Sequence, residues 1–182
     1  MHVNSDYCRQ MCLGNVPVEL GDWMAALRED GTPVIGRWQI NFSGCKDVVF
    51  DYANLVQVIK NFADREFIMQ YDSSVLNGAH LMRLRANMTI PTFSVLYDRS
   101  GGNGISPDQW PHPYPGINTG YSGGLRPENI SDQLNKIADV AGNATIWIDA
   151  EGGLKTPGTK SFDFARARAY VNSANKWCEN NR

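Results

Sequence analysis

The sequence predicts an α/β fold: a parallel sheet covered by helices, TIM-barrel-like in the (β/α)8 sense but incomplete, with about six βα units. Three observations predict it. Short apolar runs alternate with segments of helical periodicity, which argues for strands crossing over through helices into a parallel sheet. The runs start near residues 37, 67, 92, 117 and 145, in steps of about 30, 25, 25 and 28 residues. Barrels of ~200–250 residues average ~25–31 residues per unit. Each run also ends in polar or glycine-rich residues, as strands do when their ends line a pocket.

In chain order, residues 1–36 have room for one unit beginning at His2-Val3. Arg37-Trp38-Gln39-Ile40 is the next strand and runs into Asn41-Phe42-Ser43-Gly44. From Asp51 to Phe62, Leu55, Val58, Ile59 and Phe62 recur on one helical face. Phe67 to Tyr71 is a strand ending in Asp72-Ser73-Ser74, and Thr92 to Tyr97 is another, followed by Asp98 and a glycine-rich loop. Ile117 to Tyr121 leads into Ser122-Gly123-Gly124. The helix from Asn129 to Val140 then carries Ile130, Leu134, Ile137 and Ala138. Thr145 to Ile148 precedes Asp149-Ala150-Glu151-Gly152-Gly153, and Phe164 to Trp177 is the closing helix.

At these spacings 182 residues hold six units, two short of closure, with no composition break. The expectation is a single TIM-barrel-like domain over residues 1–182. Two missing units would leave sheet edges and apolar interior open, so either the N-terminal segment covers the gap or the chain is a homo-oligomer.

Composition narrows the function. With 42% hydrophobic and 20% charged residues and a net charge of −2, no basic field exists for nucleic acid. No run approaches the ~20 apolar residues of a membrane span, and Met-His-Val-Asn-Ser-Asp lacks the apolar core of a signal peptide. A cytoplasmic protein with no nucleic-acid or membrane partner is therefore expected. Cys8, Cys12, Cys45 and Cys178 form no CxxC pair, and His2, His80 and His112 are scattered, so no metal is expected. Cys8 and Cys12, four apart, share a helical face as small half-buried thiols.

The polar strand ends are Asn41 and Ser43; Gln70 and Asp72; Asp98, Arg99 and Ser100; Ser122; Asp149 and Glu151. Three segments are more specific. Gly123-Gly124 precedes Leu125-Arg126-Pro127-Glu128-Asn129, where Pro127 suits a helix's first turn and Glu128 its positive end. Glycine there lets backbone N–H groups approach an anion, with Arg126 adding charge from the rim and Glu151-Gly152-Gly153 supplying the other half of the cradle. The third segment is Asp98 before Gly101-Gly102-Asn103-Gly104, a carboxylate positioned as a general acid or base beside a glycine-rich loop.

Asp98 with Gly101-Gly102-Asn103-Gly104 and Trp110, then Ser122-Gly123-Gly124-Leu125-Arg126-Pro127-Glu128-Asn129, then Asp149 to Gly153, resembles the phosphoribosylanthranilate isomerase family over about residues 90–170. That family has an Asp and a GGTG-type loop after strand six, AGGL-x-PEN after strand seven and a short Gly-containing loop after strand eight. Gly120-Tyr121-Ser122-Gly123-Gly124-Leu125 and Trp147-Ile148-Asp149-Ala150-Glu151 are similar to the GYAGGL and WIDME-like segments of its bacterial relatives. The resemblance implies a (β/α)8 barrel and a cofactor-independent Amadori rearrangement of a phosphoribosylated amine. Asp98 takes the general-acid position, and Gly123, Gly124, Gly152 and Gly153 fall in the phosphate loops. By this alignment the chain begins around strand three, so the family's base cysteine has no counterpart, and Cys8 does not take that role.

Two readings follow. One is a sugar-phosphate isomerase or lyase using Asp98 with Asp72, Glu151 or Asp6 as partner. The other is a non-catalytic binder that sequesters a phosphorylated, nucleoside-like ligand in the same pocket. Phe42, Tyr71, Tyr97 and Tyr121, near strand ends, are candidates to stack on its base. A vestigial pocket in an interaction protein is the third reading.

Overall fold

A computed structural model describes residues 1–42, 45, 52–71, 81, 83, 84, 86, 93–98 and 105–181. Its strands are β1 (His2–Val3), β2 (Arg37–Ile40), β3 (Glu66–Tyr71), β4 (Phe93–Asp98), β5 (Asn118–Ser122) and β6 (Ile146–Ile148). They form a six-stranded sheet in chain order, and every described pairing is parallel. The helices are α1 (Ser5–Cys12), α2 (Val18–Ala25), α3 (Tyr52–Asn61), α4 (Ile130–Ala141) and α5 (Phe164–Asn180). Six strands in this order match the spacing expectation, and the architecture is mixed α/β with an all-parallel sheet. The chain divides into two compact units, Met1–Leu96 and Tyr97–Arg182.

In the first unit, β2 pairs with both β1 and β3, with Trp38 opposite Phe67 and Ile40 opposite Met69. Trp38, Gln39 and Ile40 are buried in succession, as are Phe67 to Gln70. Consecutive burial of this kind comes from covering both faces of a parallel strand, and it explains why these segments read as runs and not as alternations. At the strands' outer end, Arg37 Nε donates to Glu66 Oε2 at 2.6 Å, an ion pair across the register. On α3, Leu55, Val56, Val58 and Ile59 are buried, the face that helical periodicity picks out.

Residues 1–36 contain two helices, and α1 departs from expectation in its cysteines. Cys8 and Cys12 are fully buried, not half-buried, and lie against Cys45 from the segment after β2. Buried thiols behave as small hydrophobes, so this face of α1 packs inward with Met11.

In the second unit, β5 pairs with β6 so that Thr119, Gly120 and Tyr121 face Ile146, Trp147 and Ile148. Gly120 is required sterically, because a Cβ there would stand 2.6 Å from Cδ2 of the Trp147 ring. Helix α4 buries Ile130, Gln133, Leu134 and Ile137. It begins at Ile130, so Pro127 and Glu128 lie in the turn before it and not in its first turn. That turn is closed by the Asn129 and Ile130 amides, both donating to Arg126 O. Helix α5 is capped by Asp163, whose Oδ1 accepts from the Ala165 and Arg166 amides at 2.9 and 3.0 Å. Gly152–Leu154 forms a 3-10 turn where the sequence suggested only a glycine loop.

No helix among the described residues is long and apolar enough to cross a membrane.

Candidate functional site

The candidate site lies in the second unit, at the C-terminal ends of β5 and β6. The register that sets Tyr121 against Ile148 brings Ser122 level with Asp149. Ser122 Oγ donates to Asp149 Oδ2 at 3.3 Å, and the Asp149 amide donates to Tyr121 O at 2.9 Å. From α5, Tyr170 reaches the same carboxylate's field. Burial, and then the Asp149 charge, push its phenol well above the ordinary tyrosine value. Tyr170 is 7% exposed, and its hydroxyl makes no hydrogen bond among the described residues. A buried, unsatisfied hydroxyl beside a carboxylate is a polar group with capacity for one more partner.

Immediately beyond Ser122, Gly123 has φ 118° and Gly124 φ 65°. The first value is open essentially to glycine alone, so this pair is required by backbone conformation. Asn129 holds the loop in place: its Nδ2 donates to Gly124 O at 2.9 Å and its Oδ1 accepts from the Arg126 amide at 3.0 Å. Ser106 Oγ donates to the same Gly124 carbonyl at 3.1 Å. The Gly124 carbonyl thereby has two donors. Among the described residues the Gly123 and Gly124 amides donate no hydrogen bond.

Gly152-Gly153 does reach this loop, but Gly153 is glycine for a different reason from the expected one. A Cβ on it would overlap the Leu125 carbonyl oxygen and stand 2.9 Å from Arg126 Cβ. The two loops touch backbone to backbone, and that contact excludes a side chain.

Arg166, on the first turn of α5, joins them. Its guanidinium donates to both Glu128 oxygens at 2.7 and 2.9 Å and, through Nε, to Gly153 O at 3.1 Å. These bonds hold the Glu128 carboxyl below its ordinary value and raise the guanidinium's own. Sequence reading missed Arg166 because its partners lie 38 and 13 residues away and no spacing rule connects them.

Asp98 is the last residue of β4 and is half-buried. The Tyr97 ring lies 5.8 Å from that of Tyr121, so Asp98 and Ser122 each stand one residue beyond a contacting tyrosine on neighbouring strands. Arg126 is exposed at the rim. The Glu151 carboxylate is 70% exposed and accepts from Lys155 Nζ at 2.7 Å. Asp6 is an exposed residue of α1 in the other unit. Gly101 and Gly102 lie outside the described residues, as do Ser43, Asp72, Arg99, Ser100, Asn103 and Gly104.

The aromatic expectation is corrected at three positions. Tyr121 is fully buried, its hydroxyl donating to Pro111 O at 2.8 Å and its ring meeting the Trp110 edge at 5.6 Å. Trp110 Nε1 in turn donates to Gln133 Oε1 of α4 at 2.9 Å. Tyr97 is 7% exposed and Phe42 fully buried. Their role is packing, because covering a parallel sheet with helices consumes its large apolar side chains. Tyr71 is half-buried.

Compared with protein-family models, curated proteins and solved structures, the chain matches none.

Proposed function

We propose that this protein binds a phosphorylated, ribose-containing small molecule, with the phosphate held by the Gly123 and Gly124 amides ahead of α4. The observation that carries the reading is the pair of positive-φ glycines in which Asn129 and Ser106 hold the Gly124 carbonyl while the two amides donate to no group among the described residues. Such amides, together with a helix N-terminus, favour a dianion over water. Arg126 adds charge at the rim. Ser122, Asp149 and the unsatisfied Tyr170 hydroxyl supply donors and acceptors for ribose hydroxyls.

The test is titration calorimetry with ribose 5-phosphate and with ribose. Binding of the phosphate ester but not the free sugar is expected. Gly124→Asn keeps a residue able to adopt φ 65° while placing a side chain in the cradle, and it abolishes binding with an unchanged circular dichroism spectrum. Equal affinity in that variant sinks the assignment.

A second reading, sugar-phosphate isomerisation with Asp98 as general acid, is favoured by one observation. Asp98 and Asp149 stand at the ends of the two strands neighbouring β5, which places two carboxylates beside one candidate ligand position. An N-(5-phosphoribosyl)arylamine is then converted to its 1-amino-1-deoxyketose, and Asp98→Asn abolishes turnover while retaining affinity. If the parent protein binds without turnover, the sequestering role stands alone.

A further inference from the structure

We propose that Cys8, Cys12 and Cys45 form a zinc site, separate from the anion site. The three side chains are fully buried, and their Sγ atoms all lie within 4.8 Å of one another. Cys8 and Cys12 project from one face of α1 a turn apart, and Cys45 arrives from the segment after β2, its amide held by Phe42 O at 2.9 Å. The Cys8 and Cys45 sulfurs are 3.2 Å apart, far beyond the ~2.05 Å of a disulfide bond. In a tetrahedral thiolate site with Zn–S near ~2.3 Å, sulfurs are separated by about 3.8 Å. The cluster therefore needs adjustments of about 1 Å or less in sulfur separation to close around one ion.

Three thiols converging from two segments exceed what hydrophobic packing asks for, since any small apolar side chains would fill the same space. Thiolate sulfur is a preferred ligand of zinc. Three thiolates and Zn²⁺ carry −1, and the field of the Arg9 guanidinium reaches Cys45. A monovalent ion such as Cu⁺ would leave −2 buried beside one cation. Zinc binding forms three Zn–S bonds and releases three protons to solvent, with no change of oxidation state. The fourth coordination position is filled from outside this group.

The experiment uses the full chain, reduced and handled without oxygen, with elemental analysis as purified and then titration with Zn²⁺ and Co²⁺. About one zinc per chain, roughly three protons released on binding, and a thiolate-to-Co²⁺ charge-transfer band are expected. Cys45→Ser and Cys12→Ser lose the band and most of the metal, while Cys178→Ser, which alters an exposed thiol elsewhere, retains both. The charge-transfer band of the parent protein reads the site even if a variant fails to fold. Absence of the band in the reduced parent, retention of full metal by Cys45→Ser, or preferential uptake of Cu⁺ with zinc excluded would each overturn the proposal.

Discussion

Replacing Gly153 with alanine isolates the contact that joins the two glycine loops. Gly153 does not have a positive φ, so alanine suffers no backbone penalty there and its cost is steric alone. The new methyl overlaps the Leu125 carbonyl oxygen and lies 3.0 Å from its carbon and 2.9 Å from Arg126 Cβ. Each is shorter than an ordinary ~3.5–4.0 Å carbon–carbon contact, and backbone cannot swing aside as a side-chain tip does. The loops must separate, at the ~1–3 kcal/mol typical of overpacking. For a chain of this size, about 2 kcal/mol lowers the thermal midpoint by about 4–8 °C. Gly152→Ala is the control, since a Cβ there meets nothing within 4 Å and should change stability by under ~0.5 kcal/mol. Differential scanning calorimetry of both variants reads the difference. Separation of the loops also shifts the Gly124 backbone, so under the proposed anion site Gly153→Ala is expected to weaken ribose 5-phosphate binding and Gly152→Ala is not. Equal midpoints for the two variants would refute the reasoning.

Trp110→Phe leaves the buried Gln133 amide without its donor and is expected to cost about 1–3 kcal/mol in urea unfolding, part of which Gln133→Leu restores in the double variant. An additive pair would contradict that coupling. Glu128 is held below its ordinary value of 4.5 by Arg166, so its contribution is complete above pH 4.5 and disappears as pH falls through the lowered value. Glu128→Gln should therefore flatten the acid limb of the stability profile, and an unchanged limb would show that the pair contributes nothing there. Asp163→Ala removes the acceptor for the Ala165 and Arg166 amides, and faster hydrogen exchange confined to the first turn of α5 is the expected signature.

The number, order and approximate bounds of the strands were legible because parallel strands buried on both faces must be short apolar runs. Phe67 to Tyr71 and Thr92 to Tyr97 differ from β3 and β4 by only a residue at either end. Leu55, Val58 and Ile59 likewise marked the inner face of α3 through local periodicity alone. Gly123-Gly124 stood out as a glycine pair between a strand and a helix, and the structure gives it φ values of 118° and 65°, the first open essentially to glycine alone. Pairings across the chain were not legible. Gly153 is small because of Leu125, Arg166 is tied to Glu128, and Tyr121 was spent in a cluster with Trp110 instead of offered to a ligand. Cys45 joins Cys8 across 37 residues, and neither position announces the other. Sequence periodicity reports which side of an element is apolar. Which atoms then meet depends on how the elements dock, and only the tertiary structure decides that.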